Sequence, residues 1–190
     1  MIGLIILSLL LGITGCSSQK KEVPSTSLIT YSQTIVECIK DKKIEELSQY
    51  VHPTKGVRFT PYAYIDLTED LVFSPKEMVD TWNNSKRYTW GSYDGSGFPI
   101  ELTLQEYYEQ FIYDVDFANP EMIGNNKIIG TGNTENNIQE AYPNGVFMEY
   151  HFSGINPEYA GMDWRSLRLV FEKEEGIYYL VGIVHDQWTI

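Results

Sequence analysis

The stretch RSLRLVFEKEEGIYYLVGIVHDQ, Arg165 to Gln187, decides the fold. Leu167, Leu169 and Phe171 fall at alternate positions in Arg165–Lys173, and Ile177–Gln187 is rich in aliphatic and aromatic residues, so both runs read as long β-strands. Glu174-Glu175-Gly176 is the short connection of a hairpin. In the first strand Arg165, Leu167, Leu169 and Phe171 share a face, and in the second Ile177, Tyr179, Val181, Ile183 and His185 do. A hairpin centred on Glu175 would set Arg165 opposite His185, beside Asp163 and Asp186. Upstream, Val146–Phe152 is a third strand, with Val146, Met148, Tyr150 and Phe152 on its core side and Glu149 and His151 expected to face solvent.

Before these strands the pattern changes period. Between Leu28 and Val51 the apolar residues Leu28, Ile35, Val36, Ile39, Ile44, Leu47 and Val51 recur at threes and fours, broken by Lys40-Asp41-Lys42-Lys43. Two consecutive amphipathic helices follow from this spacing. His52-Pro53 is expected to end the second, because a residue before proline is driven out of the α region. Gly56–Thr60 reads as a short strand. Ser74-Pro75-Lys76-Glu77 and Thr103-Leu104-Gln105-Glu106 are capping boxes, predicting helices to about Asn83 and Tyr113. Lys86–Tyr93 reads as a strand and Asp94-Gly95-Ser96-Gly97 as a turn. Residues 119–145 are rich in Gly and Asn and predict a long excursion with at most a short strand. Helices first and long sequential strands last give an α+β fold, the helices packed on one face of an antiparallel sheet.

Composition sets outer bounds. The chain has 190 residues, 14 Lys+Arg against 26 Asp+Glu, a formal charge of −12, and 43% hydrophobic residues. That length fits one well-filled domain over 28–190. The acidic balance argues against nucleic acid, which needs a basic stripe. No Cys/His set has zinc spacing, and no metal or cofactor is expected. Gly130-Thr131-Gly132 lacks the third glycine of a dinucleotide loop, and Asp94–Glu101 lacks a second acidic ligand for calcium.

The N-terminus addresses compartment. Ile2–Ile13 is an apolar run too short to span a bilayer, which takes about 20 residues, and it reads as the core of a signal peptide. Met1-Ile2-Gly3 lacks the basic residues usual before such a core. Ile13-Thr14-Gly15-Cys16 resembles the bacterial lipobox, which implies cleavage after residue 15 and lipidation of Cys16. An uncleaved anchor or a secreted form are the other readings. Residues 16–27 are then the lipidated cysteine and a polar tether. Cys38, in Ile35-Val36-Glu37-Cys38-Ile39, has no disulfide partner and is expected to be a small buried hydrophobe.

Paired N-terminal helices, Lys42-Lys43-Ile44-Glu45-Glu46-Leu47 leading to Val51-His52-Pro53, an intervening helix and C-terminal strands together resemble the nuclear-transport-factor-2-like (cystatin-like) cone. The His-Pro-x-Lys-Gly-Val-Arg-Phe segment resembles uncharacterised lipoproteins of Gram-positive bacteria. The cone resemblance implies a curved sheet around a cavity, used by some relatives for catalysis and by others for binding. Arg165 and His185, with Asp163 and Asp186, are the candidate pocket, either a cation and a titratable imidazole facing a ligand or an ion-paired strand end, the second favoured. Tyr62, Tyr64, Tyr88, Trp90, Trp164 and Trp188 are candidate aromatic contacts for a glycan or protein, whereas Trp82, Tyr107 and Phe111 sit at core spacing. The expected function is a membrane-anchored, extracytoplasmic domain that binds a ligand, an envelope protein or cell-wall glycan. The alternatives are an isomerase or hydrolase using His185 with Arg165, and a structural accessory subunit.

Overall fold

A computed structural model of the protein describes residues 27–190; the stretch read as a signal peptide, Cys16 and all but the last residue of the expected tether lie outside them. Helix α1 (Leu28–Lys40) starts at Ser27, whose hydroxyl accepts from Thr30 N, and buries Ser32, Ile35, Val36, Cys38 and Ile39 along one stripe. Burial and nearby Glu46 push the Cys38 thiol up to about 11, so it is a packing residue rather than a nucleophile. Helix α2 (Ile44–Ser48) ends earlier than its period suggests. Tyr50 O and His52 N instead bond Leu180, at 2.8 and 3.0 Å, drawing the chain against the sheet before His52-Pro53 is reached. Both capping boxes are formed, starting α3 (Pro75–Trp82) and α4 (Leu104–Phe111).

The fold is mixed α+β, built on a six-stranded, mostly antiparallel sheet. Its strands are β1 (Val57–Thr60), β2 (Val72–Phe73), β5 (Met122–Asn125), β6 (Val146–Phe152), β7 (Arg165–Glu174) and β8 (Ile177–Gln187). They lie in the order β2-β1-β8-β7-β6-β5. One pairing departs from an antiparallel meander: β1 runs parallel to β8, with Phe59 opposite Ile183. Strand β3 (Tyr88–Ser92) is shorter than its reading and forms a separate ribbon with β4 (Pro99–Leu102).

The β7–β8 hairpin differs from its sequence reading in a way that matters for the site. Glu174 pairs with Ile177 across a two-residue turn, with Glu175 and Gly176 both at positive φ, as the twist of such hairpins requires. Phe171 then pairs with Leu180 but Val170 with Gly182, so Val181 is an extra residue, a β-bulge. The bulge shifts the register and splits the supposed common face. Leu180 and Ile183 pack toward the helices, while Val181 and Val184 pack on the opposite side. Arg165 therefore lies opposite Gln187, and His185 opposite Leu167.

The helix side holds the main core. Trp90 stacks on Tyr107 at 4.0 Å between ring centroids, and Phe59, Phe73 and Phe111 meet these rings edge-on or tilted. A residual void of about 10 Å³, lined by Leu47, Phe59, Met78, Tyr108 and Ile183 among others, has room for no more than one water. The opposite side is covered by the excursion after β5, which carries the short helix α5 (Ile138–Ala141) and packs Ile138 against Phe147, Val170, Val181 and Val184. Among the described residues no helix is long and apolar enough to cross a membrane.

Candidate functional site

His185 and Arg165 do meet, through a third residue. Asp114, just beyond α4, accepts from Arg165 Nε at 2.7 Å and faces His185 Nε2 at 3.3 Å, both at Oδ2. His185 Nδ1 lies 3.2 Å from the Pro61 carbonyl. Both imidazole nitrogens thus face oxygens that can only accept, and both bonds are made at once only by the charged ring. Arg165 Nη1 also donates to the carbonyls of Asp163 and Trp164. Burial pushes the Asp114 carboxyl up, but the His185 hydrogen bond and the charges of His185 and Arg165 outweigh it and hold it below the usual carboxylate range. His185 is fully buried, under the edge of Phe111 at 5.7 Å. The group clasps the loop after α4 and the loop after β1 onto the two central strands.

The other two members of the candidate pocket stand elsewhere. The Asp163 carboxylate accepts from Ile155 N and Asn156 N at 3.2 and 2.7 Å, closing the β6–β7 loop on itself. Asp186 follows His185 along β8, so it points to the opposite face of the sheet.

That opposite face carries a buried polar network. Arg168 donates from Nη1 to Asp186 Oδ2 at 2.9 Å, and from Nη2 to Gly130 O and Glu149 Oε1 at 2.8 and 3.2 Å. Glu149 also accepts from Ile129 N, Gly130 N and Ser166 Oγ, at 2.8, 2.8 and 2.7 Å. Because the Ser166 proton goes to Glu149, His151 Nδ1, 2.8 Å from Ser166 Oγ, is the donor of that pair. Glu149 and His151 are therefore buried, at 0% and 5% exposure, not solvated. Burial pushes the Asp186 carboxyl up, only partly offset by Arg168, and holds His151 below its ordinary value. The signal was present in the sequence: Glu149 and His151 on one strand match Arg168 and Ser166 on the next. It was masked because a polar strand face reads as a wet one unless another segment is known to cover it.

Gly130 is where that segment touches the network. A Cβ there would come 2.8 Å from Trp164 Cζ3 and 2.9 Å from His151 Nδ1, and would also meet Ser166 Oγ. All three neighbours are buried and hydrogen-bonded or packed, so Gly130→Ala should cost about 1–3 kcal/mol by overpacking. Chemical denaturation checks this, and a change below about 0.5 kcal/mol would mean that the strap is loosely seated.

The aromatic candidates separate by burial. Trp90 and Trp164 are 1% and 7% exposed and belong to the interior, out of reach of an external ligand. Tyr62 is half-buried, its hydroxyl accepting from Asp94 N at 3.2 Å, and Tyr88 is half-buried against Phe73 and Trp90. Tyr64 and Trp188 remain at the surface, 51% and 41% exposed. Among the described residues no group of three or more His, Cys, Asp and Glu side chains could hold a metal ion.

No family model matches the sequence, and no curated protein matches it. Among solved structures, the chain is similar to Aln2 from a Streptomyces species, at 9% identity and a TM-score of 0.34 over 85% of this chain and 93% of that one. It is also similar to a putative calcium/calmodulin dependent protein kinase II association domain from Xanthomonas campestris, at 8% identity and a TM-score of 0.32 over 85% and 84%. Likenesses this distant assign no activity, ligand or partner.

Proposed function

We propose that this chain is a lipid-anchored, extracytoplasmic protein whose folded domain binds a ligand or an envelope partner without catalysing a reaction, and that its fold is a nuclear-transport-factor-2-like cone. The fold reading is supported by the paired N-terminal helices packed on one side of a sheet whose longest strands come last. The observation that carries the functional reading is the state of His185. A general base needs an open nitrogen within reach of a substrate proton. Here both nitrogens are committed to Asp114 and Pro61, and the interior between α2, α3, α4 and the central strands is filled by side chains. Tyr64 and Trp188, with an apolar body and a polar tip at the surface, suit contact with a glycan or protein.

Two measurements test this. Metabolic labelling with an alkyne analogue of palmitate is expected to mark the protein in a Gram-positive host and to place it in the membrane fraction, both lost in Cys16→Ala; an unlabelled protein in the soluble fraction overturns the anchor. Diethyl pyrocarbonate is expected to leave His185 unmodified in the native protein and to modify it after unfolding, by peptide mass mapping. Rapid modification in the native state would reveal an access route and favour the isomerase or hydrolase reading.

A further inference from the structure

The two edges of the six-stranded sheet are built differently. Strand β2 has two residues and runs straight into α3. Strand β5, at the other edge, has four residues, Met122-Ile123-Gly124-Asn125, with no charge and no proline. Folded proteins usually blunt such an edge with lysine, proline or a bulge. Gly124 pairs with Glu149 on β6, and Asn126 N bonds Phe147 O at 2.8 Å. By antiparallel alternation the N–H and C=O groups of Ile123 and Asn125 point outward, and among the described residues no strand takes them.

A cleft lies on each side of this edge. On the helix side a hollow of about 280 Å³ is lined by Gln33, Val36, Glu37, Ala118, Pro120, Ile123 and Tyr150. On the other side an open groove of about 530 Å³ is lined by Met122, Ile123, Lys127, Ile128 and Ile129 with the backbone between them. Met122 and Ile123 are 39% and 38% exposed. An added strand sends successive side chains to opposite faces, so neighbouring residues of it would enter the two clefts in turn. The first sets Val36, Ala118, Pro120 and Ile123 beside the polar Gln33 and a carboxylate, Glu37, that makes no ion pair with any described residue; it suits the aliphatic stem and charged head of a lysine or arginine. The second sets Met122, Ile128 and Ile129 beside the cation of Lys127, which disfavours a second cation there, and suits a valine or isoleucine. A cationic partner is also the one that a chain of net charge −12 attracts.

We propose that β5 is a docking edge for an extended peptide segment of a partner protein, in which basic and aliphatic residues alternate. This rests on reading the domain as a binding module, but it fails separately: a lost edge interaction leaves the anchor and His185 results standing. Four edge residues bury well under the roughly 1,000 Å² of a stable interface, so the complex is weak and transient.

The test uses the full-length chain and a fluorescent, end-blocked heptapeptide of alternating lysine and valine, read by anisotropy at low salt. Binding is expected. A matched glutamate–valine peptide, and a lysine–valine peptide N-methylated at the amides that pair, should each bind at least about tenfold more weakly, about 1.4 kcal/mol. Glu37→Gln, on an exposed helix position, should weaken binding about fivefold. Asn125→Pro removes only an outward N–H, a site where an edge strand tolerates proline; it should abolish binding while leaving the melting temperature within a few degrees of the parent. Equal binding of the N-methylated or acidic peptide overturns the proposal, as does no binding to any of them. Concentration-dependent dimers in sedimentation that Asn125→Pro dissolves would assign the edge to a second copy of this chain and overturn it too.

Discussion

Arg168→Ala is expected to lower the free energy of unfolding by about 3–5 kcal/mol, the largest effect of any single truncation on the second face of the sheet. Arg168 is fully buried, and its guanidinium is the cation that Glu149 and Asp186 share. Removing it leaves two carboxylates in the interior and frees the Gly130 carbonyl. The arrangement is already unbalanced, with two acids to one base, and Arg168 Nε and Asp186 Oδ1 find no partner among the described residues. A buried ion network need not stabilise relative to apolar residues of the same shape. The triple change Arg168→Met, Glu149→Gln, Asp186→Asn should therefore cost less than Arg168→Ala alone. Urea denaturation measures both, and hydrogen exchange locates the damage, which should concentrate at the backbone of Ile129 and Gly130. A loss below about 1 kcal/mol for Arg168→Ala, or exchange spread evenly over the chain, would contradict the assignment of Arg168 as the pin of the strap.

The network serves a topological need. A sheet whose first face is filled by helices still has a second face, and Phe147, Val170, Val181 and Val184 would otherwise meet water there. The excursion after β5 covers them, but its own backbone must then find partners in a dry setting. Glu149 and Arg168 supply these to Ile129 and Gly130. A strap of Gly and Asn residues with little secondary structure is thereby held by three strands that were formed for other reasons.

How far the sequence disclosed this depends on the range of each signal. Local chemistry was legible: Ser74/Glu77 and Thr103/Glu106 name the starts of α3 and α4 within their own first turns, and the hairpin at Glu174-Glu175-Gly176 was placed, although Glu174 pairs and the turn takes only Glu175 and Gly176. Periodicity also placed Cys38, Tyr107 and Phe111 in the core. Long-range facts were not legible. Asp114 lies 71 residues before His185 and 51 before Arg165, in a segment with no pattern of its own, so nothing local marks it as the joint between them. The Val181 bulge is marked only by Gly182, since a glycine inside a strand signals either a bulge or a close neighbour and does not say which. One added residue was enough to reassign the faces of β8 and to separate Asp186 from Arg165.

Asp114→Ala is expected to be the second most damaging change, lowering stability by about 2–4 kcal/mol at pH 7, because Arg165 loses a charge-assisted bond and His185 keeps one buried nitrogen without an acceptor. The effect carries a pH signature whose sign follows from the direction of the shift. In the folded chain the Asp114 carboxyl titrates below its ordinary value near 3.8, so the folded state holds fewer protons than the unfolded one through that range. The stability it contributes is complete above the unfolded value and is lost as pH falls through the folded one. The gap between parent and Asp114→Ala should therefore stay wide from about pH 7 to pH 5 and narrow below about pH 4. Asp114→Asn, which keeps one acceptor oxygen, should fall between the two at neutral pH. Urea unfolding at several pH values reads all of this at once. A gap that does not narrow in acid would mean that Asp114 acts by shape rather than charge, and the clasp would then have to be rebuilt around Arg165 and the Asp163 and Trp164 carbonyls alone.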